Sequence, residues 1–372
     1  MKKICFVVSS PMTVKSFLKE PINRLSKFYD VFLIVNLNNS DSSLLRDLPL
    51  KKIINFKIER KINIVNDFIC LVKLIMFFKQ NRYDVIHSIS PKAGLISMLA
   101  GYLTYIPTRV HTFTGQVWST KKGIFRFILK KIDSLISLCA TNLLVDSKAQ
   151  LIFLRNQGVK KKITILGNGS ICGVSLKQFK PTINVRIKER KKMKILERET
   201  VFMFLGRINK DKGVIDLIEA FKKIDSAGLL CSLYIIGNDE DKIRSKYKFD
   251  QSNIHFYPYE KNPENILQAC DVFCLPSYRE GFGMSIIEAS ALEKPIICSD
   301  VYGLQDTIIE GQTGLRHKVG DINDLKHKIE FALSNPKKME KMGINGRMYV
   351  SKNFDQVFLL SEWEKFYHRI LM

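Results

Sequence analysis

Four charged side chains in two segments have the residue types and spacing needed to bind a sugar that carries a phosphate. Arg207 and Lys212 follow the apolar run 201–205, and Glu280 and Glu288 flank a loop that follows another apolar run. Guanidinium and ammonium groups bind phosphate, whereas carboxylates accept hydrogen bonds from sugar hydroxyls and repel phosphate alone. The combination therefore predicts a ligand with both groups, such as a nucleotide sugar.

The segment 280–289 is predicted to run from a loop into a helix. The preceding run 271–275 has the length and composition of a buried strand, and the helix is expected to open near Met284. Gly281 and Gly283 let the backbone approach a ligand closely, and the first N–H groups of a helix favour phosphate. An ordinary solvated helix start with acidic residues is the competing interpretation for this segment.

Both segments are similar, in order and in sequence, to motifs of a known enzyme family. Residues 280–288 read E-G-F-G-M-S-I-I-E, which resembles the paired-glutamate signature of retaining GT-B glycosyltransferases of family 4. Residues 206–213 read G-R-I-N-K-D-K-G and resemble that family's phosphate-binding segment, and residues 310–315 resemble its E-G-x-T-G-L turn. The resemblance implies an α/β protein of the GT-B type, with two Rossmann-like doubly wound domains and an interdomain cleft.

The same resemblance implies a role for each residue in glycosyl transfer from a nucleoside diphosphate sugar with retention of configuration. Arg207 and Lys212 would stabilise the leaving diphosphate. Glu280 would hold hydroxyls of the donor sugar, and Glu288 would hold the ribose. The full set of expected donor-binding residues is Gly206, Arg207, Lys212, Tyr257, Pro258, Gly281, Phe282, Gly283, Met284, Ser285 and Glu288, with Tyr257 and Pro258 at the nucleobase.

Two histidines in the first half of the chain are candidates for the acceptor side of the site. His111 lies in a segment that resembles the family's active-site histidine at a strand end, and a structural role is the alternative. His87 is expected near the carboxyl end of a strand, where a core histidine is the competing interpretation. Thr114 and Gly115 form a turn of small residues beside His111. The expected catalytic residues are His111, Glu280, Arg207 and Lys212, and the general base stays unassigned.

No metal ion or other cofactor is expected, because Arg207 and Lys212 would supply the positive charge that a metal brings to a diphosphate. The triplet Asp239-Glu240-Asp241 has the D-x-D form that binds metal in other transferases, but it is equally typical of a solvated charged loop. With the phosphate already matched to cationic side chains, the solvated loop is the favoured interpretation.

Alternation of apolar strand-like runs with helical stretches predicts parallel, doubly wound sheets. The expected domains are residues 1–180 on the acceptor side and 200–357 for the nucleotide sugar, joined by a polar, lysine-rich linker at 181–199. By resemblance, the last helix, near 358–372, is expected to pack back on the first domain. The loop after the first strand has no glycine, unlike the family pattern, so we expect no close backbone contact there.

The positive charge is concentrated in one half of the chain. Residues 1–180 carry 29 Lys and Arg against 9 Asp and Glu, a net of +20, whereas residues 181–372 carry 30 against 27. This asymmetry predicts that the first domain faces an anionic surface, for which a membrane is favoured over nucleic acid. A basic amphipathic helix is the predicted contact, although it is also typical of a helix packed on a sheet. The candidate membrane residues are Lys121, Lys122, Ile124, Phe125, Arg126, Lys130 and Lys131.

The eight cysteines are scattered through apolar segments without a C-x-x-C pair, which is typical of reduced core cysteines in a cytosolic protein. The apolar run near the start is too short for a signal peptide and is predicted to be the first strand. No apolar run approaches the roughly twenty residues of a membrane span. The expected location is therefore the cytoplasm, at the inner face of the cell membrane.

Together with these features, the resemblance to family 4 implies a metal-independent, retaining hexosyltransferase. It would move a hexose or N-acetylhexosamine from a UDP-sugar to a lipid-linked oligosaccharide or lipopolysaccharide in bacterial surface glycan synthesis. A GT-B nucleotide-sugar epimerase or phosphorylase would use similar phosphate chemistry and is one alternative. The other is a basic module that binds membrane or nucleic acid without catalysis. The sugar and the linkage stay open.

Overall fold

The computed structural model describes residues 1–37, 42–59, 63–224, 228, 230–246 and 253–372. These residues form two units, each built around one parallel sheet. Unit 1 consists of Met1–Cys172 and Gln356–Met372, and unit 2 consists of Gly173–Asp355.

The sheet of unit 1 is apolar on both faces. Its strands are β1 (Lys3–Val8), β2 (Asp30–Val35), β3 (Lys52–Asn55), β4 (Val85–Ile89), β5 (Thr108–Phe113), β6 (Asn142–Val145) and β7 (Ile163–Ile165). They lie in the order β3-β2-β1-β4-β5-β6-β7, and every pair is parallel. Along β1, Cys5 and Val7 join one apolar cluster, whereas Ile4 and Phe6 join another. This is the pattern of a parallel sheet covered on both faces.

Helices cover both faces of this sheet. They are α1 (Pro11–Thr13), α2 (Lys19–Leu25), α3 (Ile64–Gln80), α4 (Pro91–Leu103), α5 (Gly123–Cys139) and α6 (Lys148–Asn156), and a π-helical turn, Val14–Leu18, joins the first two. Helix α3 packs against α4, and α4 packs against α5. Buried residues of all three belong to one apolar cluster, so the three helices form a single layer on one face of the sheet.

Unit 2 repeats the same strand order. Its strands are β8 (Thr200–Leu205), β9 (Cys231–Ile236), β10 (Ile254–Tyr257), β11 (Val272–Leu275), β12 (Ile296–Ser299) and β13 (Gly314–His317), and its helices are α7 (Ile183–Lys192), α8 (Val214–Lys222), α9 (Ile243–Lys246), α10 (Pro263–Ile266), α11 (Met284–Ala291), α12 (Tyr302–Gln305), α13 (Ile322–Ser334) and α14 (Pro336–Asn353). The described strands lie in the order β10-β9-β8-β11-β12-β13, all parallel. The fold class expected from the sequence is confirmed.

The division between the units differs from the expected one. Unit 2 begins at Gly173 rather than near residue 200. The last helix, α15 (Gln356–Leu371), belongs to unit 1, as expected from the sequence. In unit 1, Leu359, Trp363 and Tyr367 of α15 are buried in the apolar cluster that lines the face opposite the α3–α4–α5 layer.

The segment 181–199 was expected to be an irregular linker, but it contains α7, which packs within unit 2. The inward face of α7 uses guanidinium groups instead of apolar side chains. Arg186 and Arg190 each form an ion pair with Asp271, at 2.5 and 3.1 Å, and both also donate to main-chain carbonyls. An apolar periodicity is therefore missing although the helix is packed, which is why the sequence did not reveal it.

Candidate active site

The charged segments of unit 2 follow two neighbouring strands at the point where the strand order reverses. β8 pairs directly with β11, and the chain leaves them into the segments 206–213 and 276–283. In open parallel sheets, ligands bind outside the carboxyl ends of the strands at this switch point. The sheet therefore brings the two predicted segments together at its usual binding position.

Lys212 and Glu280 form an ion pair between these two segments. The Nζ of Lys212 contacts Oε1 of Glu280, and the two side chains are only 17% and 10% exposed. Ser277 donates its hydroxyl to the same carboxylate oxygen at 2.7 Å. Gly213 fixes the close approach of the segments: its φ is +67°, and a Cβ there would lie 2.0 Å from the carbonyl oxygen of Pro276. Only glycine fits this position.

Arg207 lies at the open edge of the same group. Its Nη1 is 3.1 Å from Oε2 of Glu240, and its side chain is 48% exposed. Asn209 donates from Nδ2 to the same oxygen at 2.8 Å, and its Oδ1 accepts from the N–H of Lys212 at 3.2 Å. The guanidinium of Arg207 is therefore linked to the main chain of Lys212 through Glu240 and Asn209.

The acidic triplet 239–241 is committed to local structure. Asp239 accepts from the N–H groups of Ile243 and Arg244 at the start of α9, at 2.7 and 2.9 Å. Asp241 accepts from the N–H of Lys210 at 2.9 Å. Among the described residues, no group of three or more His, Cys, Asp or Glu side chains is placed to hold a metal ion.

Glu288 lies on α11, one turn after its first residue, as expected. Burial, together with the negative charge of Glu264, raises the pKa of its carboxyl from 4.5 to about 8. Oε2 of Glu264 is buried and accepts no hydrogen bond. At neutral pH Glu288 therefore carries a proton in the unliganded protein. No sequence pattern had indicated that Glu264 lies near it.

The start of α11 offers fewer free donors than the sequence suggested. The N–H of Met284 donates to the carbonyl of Phe282 at 3.0 Å, and the N–H of Ile286 donates to that of Gly283 at 2.9 Å. Phe282 is itself a core residue, with its ring 5.2 Å from that of Phe354. The start of α11 therefore leaves fewer N–H groups free for a ligand than the sequence suggested.

The other expected donor-binding residues flank this group. Gly206 follows β8, and its carbonyl oxygen lies so close to Gly237 that a Cβ on Gly237 would approach it to 1.8 Å. Tyr257 ends β10 with its side chain half-buried, and Pro258 is exposed just beyond it. Gly281 is buried, and Ser285 is half-buried.

His87 was expected at the acceptor side, but it is a core residue of unit 1. It lies in the middle of β4, fully buried, and its ring stacks on Trp363. Its Nδ1 is hydrogen-bonded with the hydroxyl of Tyr367 and its Nε2 with that of Thr112, both at 2.7 Å. Both nitrogens are occupied, so His87 has no atom left for an acceptor. The structural alternative is the correct one.

His111 lies on β5 next to β4 and is also buried. Its Nδ1 is hydrogen-bonded with the hydroxyl of Ser88 at 2.8 Å. Its ring packs on Gly94 of α4, where a Cβ would come within 2.4 Å of Cε1. Burial lowers the pKa of His111 to about 3, so the imidazole is neutral at physiological pH. Thr114 and Gly115 follow β5 directly, and Gly115 has a φ of +92°.

The sequence did not single out the serines at the switch point of unit 1. Ser90, between β4 and α4, has a φ of +83°, which is rare for a residue with a side chain. Its hydroxyl lies 3.5 Å from that of Ser9, which follows β1. Strained backbone of this kind gathers at ligand sites, and the shift from strand to helix at residue 90 was the available signal.

The predicted basic helix is α5. Ile124 and Phe125 are exposed at its start, together with Lys122. The guanidinium of Arg126 and the ammonium of Lys130 instead lie over the ring of Trp118, at 5.6 and 5.8 Å from its centroid. Lys131 lies over the ring of Phe127, and Lys121 is half-buried. Within the described part of the chain, no helix is long and apolar enough to cross a membrane.

The two sheets and the switch-point site define the class of protein. Residues 3–139 match the family model described as Glycosyl transferase 4-like, and residues 185–349 match that of Glycosyl transferases group 1. The chain is 33% identical over 342 residues to the capsular polysaccharide biosynthesis glycosyltransferase CapM of Staphylococcus aureus, covering 90% of this chain and 87% of that protein. The chain therefore belongs to the GT-B glycosyltransferases of the family 4 type.

Two further similarities agree with this assignment. The chain is 27% identical over 308 residues to the UDP-Gal:alpha-D-GlcNAc-diphosphoundecaprenol alpha-1,3-galactosyltransferase of Escherichia coli, covering 80% of this chain and 78% of that enzyme. The structure of Anabaena Alr3699/HepE in complex with UDP and glucose superposes with a TM-score of 0.81 at 16% identity, covering 99% of this chain and 100% of that one. The structural likeness identifies the fold.

Proposed function

We propose that the protein is a metal-independent hexosyltransferase that retains anomeric configuration. It moves a hexose or N-acetylhexosamine from a UDP-sugar to a lipid-linked oligosaccharide or lipopolysaccharide in bacterial surface glycan synthesis. The observation that carries this proposal is the meeting of Arg207, Lys212 and Glu280 at the switch point of unit 2, with Glu288 one turn along α11. The names of two relatives, a capsular enzyme and a diphosphoundecaprenol galactosyltransferase, support the donor and acceptor classes.

The cations stabilise the leaving diphosphate. Arg207 is held by the half-exposed Glu240, and Lys212 by the nearly buried Glu280. Phosphate oxygens of the donor replace these carboxylates as partners of the cations, and charge develops on them as the bond to the sugar breaks. Fixed cations in a dry site contribute most to such a step.

Glu280, released from Lys212, accepts hydrogen bonds from hydroxyls of the donor sugar. Glu288 binds the ribose hydroxyls, with Tyr257 and Pro258 beside the base. The acceptor hydroxyl attacks the anomeric carbon from the face of the leaving group, and its proton passes to the departing phosphate oxygen. The configuration is therefore retained, and no separate protein base is needed.

In unit 1, His111 contacts the sugar or the acceptor as a neutral imidazole, because burial lowers its pKa to about 3. Its hydrogen bond with Ser88 fixes the orientation of the ring. Thr114 and Gly115 form the turn beside it. On this proposal His111 does not act as a positively charged general acid in the transfer.

The proposed place of action is the cytoplasmic face of an anionic membrane. Basic residues near such a surface contribute about 1 kcal/mol each. Lys122, which immediately precedes α5, and Lys131 of α5 are exposed and available for this contact, together with Ile124 and Phe125. Arg126 and Lys130 lie against Trp118, so we assign them a smaller share.

The test is glycosyl transfer by the purified protein. UDP-glucose, UDP-galactose and their N-acetylated counterparts are each incubated with a short-chain lipid diphosphate sugar, and products are identified by mass and by the anomeric proton coupling. An α-linked product from an α-linked donor supports the proposal. Isomerisation of the donor alone would indicate an epimerase, and consumption with inorganic phosphate would indicate a phosphorylase.

A further inference from the structure

Helix α3 of unit 1 is apolar on two opposite sides. One side, formed by Cys70, Leu74 and Phe78, is buried against the sheet. The other side is exposed to solvent and consists of Ile64, Val65, Phe68, Ile69, Val72 and Met76, which are between 38% and 80% exposed. We call these six residues the outer stripe of α3.

The outer stripe is continuous along the helix. At 100° per residue, its six positions fall within an arc of about 140°, centred opposite the buried side. They extend over about 18 Å of helix length. Soluble monomers seldom expose a contiguous apolar surface of this kind unless it meets a partner or a membrane.

The outer stripe belongs to the layer that also contains the basic helix α5. Helix α4 separates α3 from α5, and exposed apolar residues continue at its end, where Tyr102 and Leu103 are about half exposed. Lys73 and Lys79 of α3 are exposed as well. The layer therefore presents apolar side chains with lysines among and beside them, which matches the interface of an anionic bilayer.

We propose that the outer stripe of α3 inserts into the acyl boundary of an anionic phospholipid membrane and is the main apolar anchor of the protein. A second copy of the chain is a poorer partner for this surface, because unit 1 carries 29 Lys and Arg against 11 Asp and Glu and would repel itself. The inference extends the proposed membrane attachment and rests on it, but it requires neither a donor nor an acceptor.

The inserted position can be measured with an introduced tryptophan. Both native tryptophans, Trp118 and Trp363, are buried, so an indole at the surface reports separately. Phe68→Trp is compared with Met348→Trp on α14 of unit 2, where the native side chains are 64% and 60% exposed. The probe is a vesicle of phosphatidylglycerol and phosphatidylcholine, with and without bromine on the acyl chains.

We expect the Phe68→Trp emission to shift to shorter wavelength by about 10 nm and to be quenched by the brominated chains, with neither change for Met348→Trp. Flotation at about 1 M NaCl, where charges are screened beyond about 3 Å, isolates the apolar part of binding. Phe68→Gln/Met76→Gln should lower vesicle binding at least tenfold at this salt concentration. The matched variant Ile344→Gln/Met348→Gln should leave it unchanged.

Three outcomes overturn the proposal. One is flotation of the wild type without any change in the Phe68→Trp emission, and another is loss of all binding at high salt. The third is a concentration-dependent dimer that disappears in Phe68→Gln/Met76→Gln, which would make the stripe an interface between copies. Glycosyl transfer to a water-soluble acceptor is measured in parallel. If the wild-type protein shows no transfer, the proposed function is wrong, whereas vesicle binding tests only the membrane anchor.

Discussion

Units 1 and 2 share one strand order but differ in the chemistry near their switch points. In unit 2, oppositely charged side chains meet in loops beyond β8 and β11, as Lys212 does with Glu280. In unit 1, the polar residues toward the carboxyl ends of β4 and β5 are neutral and buried, as in the hydrogen bond of His111 with Ser88. Charged loops suit an anionic ligand that replaces one partner of each pair. Neutral buried groups instead fix the positions of the loops around them.

The outer surfaces of units 1 and 2 differ as well, both in charge and in exposed apolar residues. Unit 1 has a net charge of +18 and unit 2 a net charge of +5, from 29 Lys and Arg against 11 Asp and Glu and from 30 against 25. Unit 1 also carries the outer stripe of α3, whereas the exposed apolar residues of unit 2 are spread over several elements. One architecture thus supports a group of charged loops at the switch point of one unit and a basic, apolar surface in the other.

The largest effect is expected from removing a cation of unit 2. Lys212→Ala and Arg207→Ala should each lower turnover by roughly 30- to 1000-fold, because each loses about 2–4 kcal/mol of stabilisation of the leaving diphosphate. The matched control is Lys210→Ala, since Lys210 is exposed in the same segment and contributes its N–H rather than its side chain. Steady-state kinetics check the loss, and thermal unfolding checks the fold. Near-native turnover of both variants would refute the phosphate assignment.

A smaller effect is expected from displacing the neutral imidazole of His111 in unit 1, which tests whether its position matters for turnover. Gly94→Ala places a methyl group 2.4 Å from Cε1 of His111 and must displace the ring. We expect roughly tenfold lower turnover and a destabilisation of about 1–3 kcal/mol from overpacking. Gly346→Ala on α14 is the control, because its nearest neighbour lies at 3.5 Å. Full activity of Gly94→Ala would leave His111 without a role in transfer.

The secondary structure around the two charged segments of unit 2 could be predicted from the sequence because each segment follows a short, buried, apolar strand. The strand 272–275 and the start of α11 at Met284 were both predicted. The partners were not predictable, because Glu240 reaches Arg207 from a loop 33 residues away and Glu264 acts on Glu288 from α10. Such contacts depend on how strands are ordered in the sheet, which no local pattern specifies.

Histidines were the hardest residues to assign, for a related physical reason. His87 and His111 occupy neighbouring strands with similar local sequence, yet both nitrogens of His87 are bonded to core hydroxyls. One of these hydroxyls comes from Tyr367 on α15, which is 280 residues away. The α7 helix was missed because its buried side is charged. In each case a long-range polar contact replaced the apolar signal on which sequence patterns depend.

Glu288 gives the charged site of unit 2 a pH dependence opposite in sign to that of the buried histidines of unit 1, whose lowered pKa values cost stability as the pH falls below 6.5. Its pKa is raised from 4.5 to about 8, so the folded state binds more protons than the unfolded state between these values. Its contribution to stability is present below pH 4.5 and is lost as the pH rises through 8. Glu288→Gln removes this loss. The melting temperature of the variant should therefore exceed that of the wild type by roughly 5–10 °C at pH 9 and match it near pH 4.5.

The control for this prediction is Glu264→Gln, which removes the neighbouring charge but keeps Glu288. This variant should lower the pKa of Glu288 and therefore narrow the pH range over which Glu288 reduces the stability of the protein. Calorimetry from pH 4.5 to 9 provides the measurement. A constant difference between Glu288→Gln and the wild type across this range would show that Glu288 does not titrate there.

The smallest expected effect is that of a chelator, which should leave transfer within about twofold of its untreated rate. Arg207 and Lys212 bring two positive charges to the diphosphate, so a divalent ion is not required to offset its charge. The acidic triplet is also engaged: Asp239 holds the start of α9, Glu240 pairs with Arg207, and Asp241 binds the N–H of Lys210. Binding a metal there would break contacts that position the cations. The opposite result would be that EDTA removes activity, that Mg²⁺ or Mn²⁺ restores it, and that Asp239→Asn is inactive. This result would identify the acidic triplet of unit 2 as a metal site.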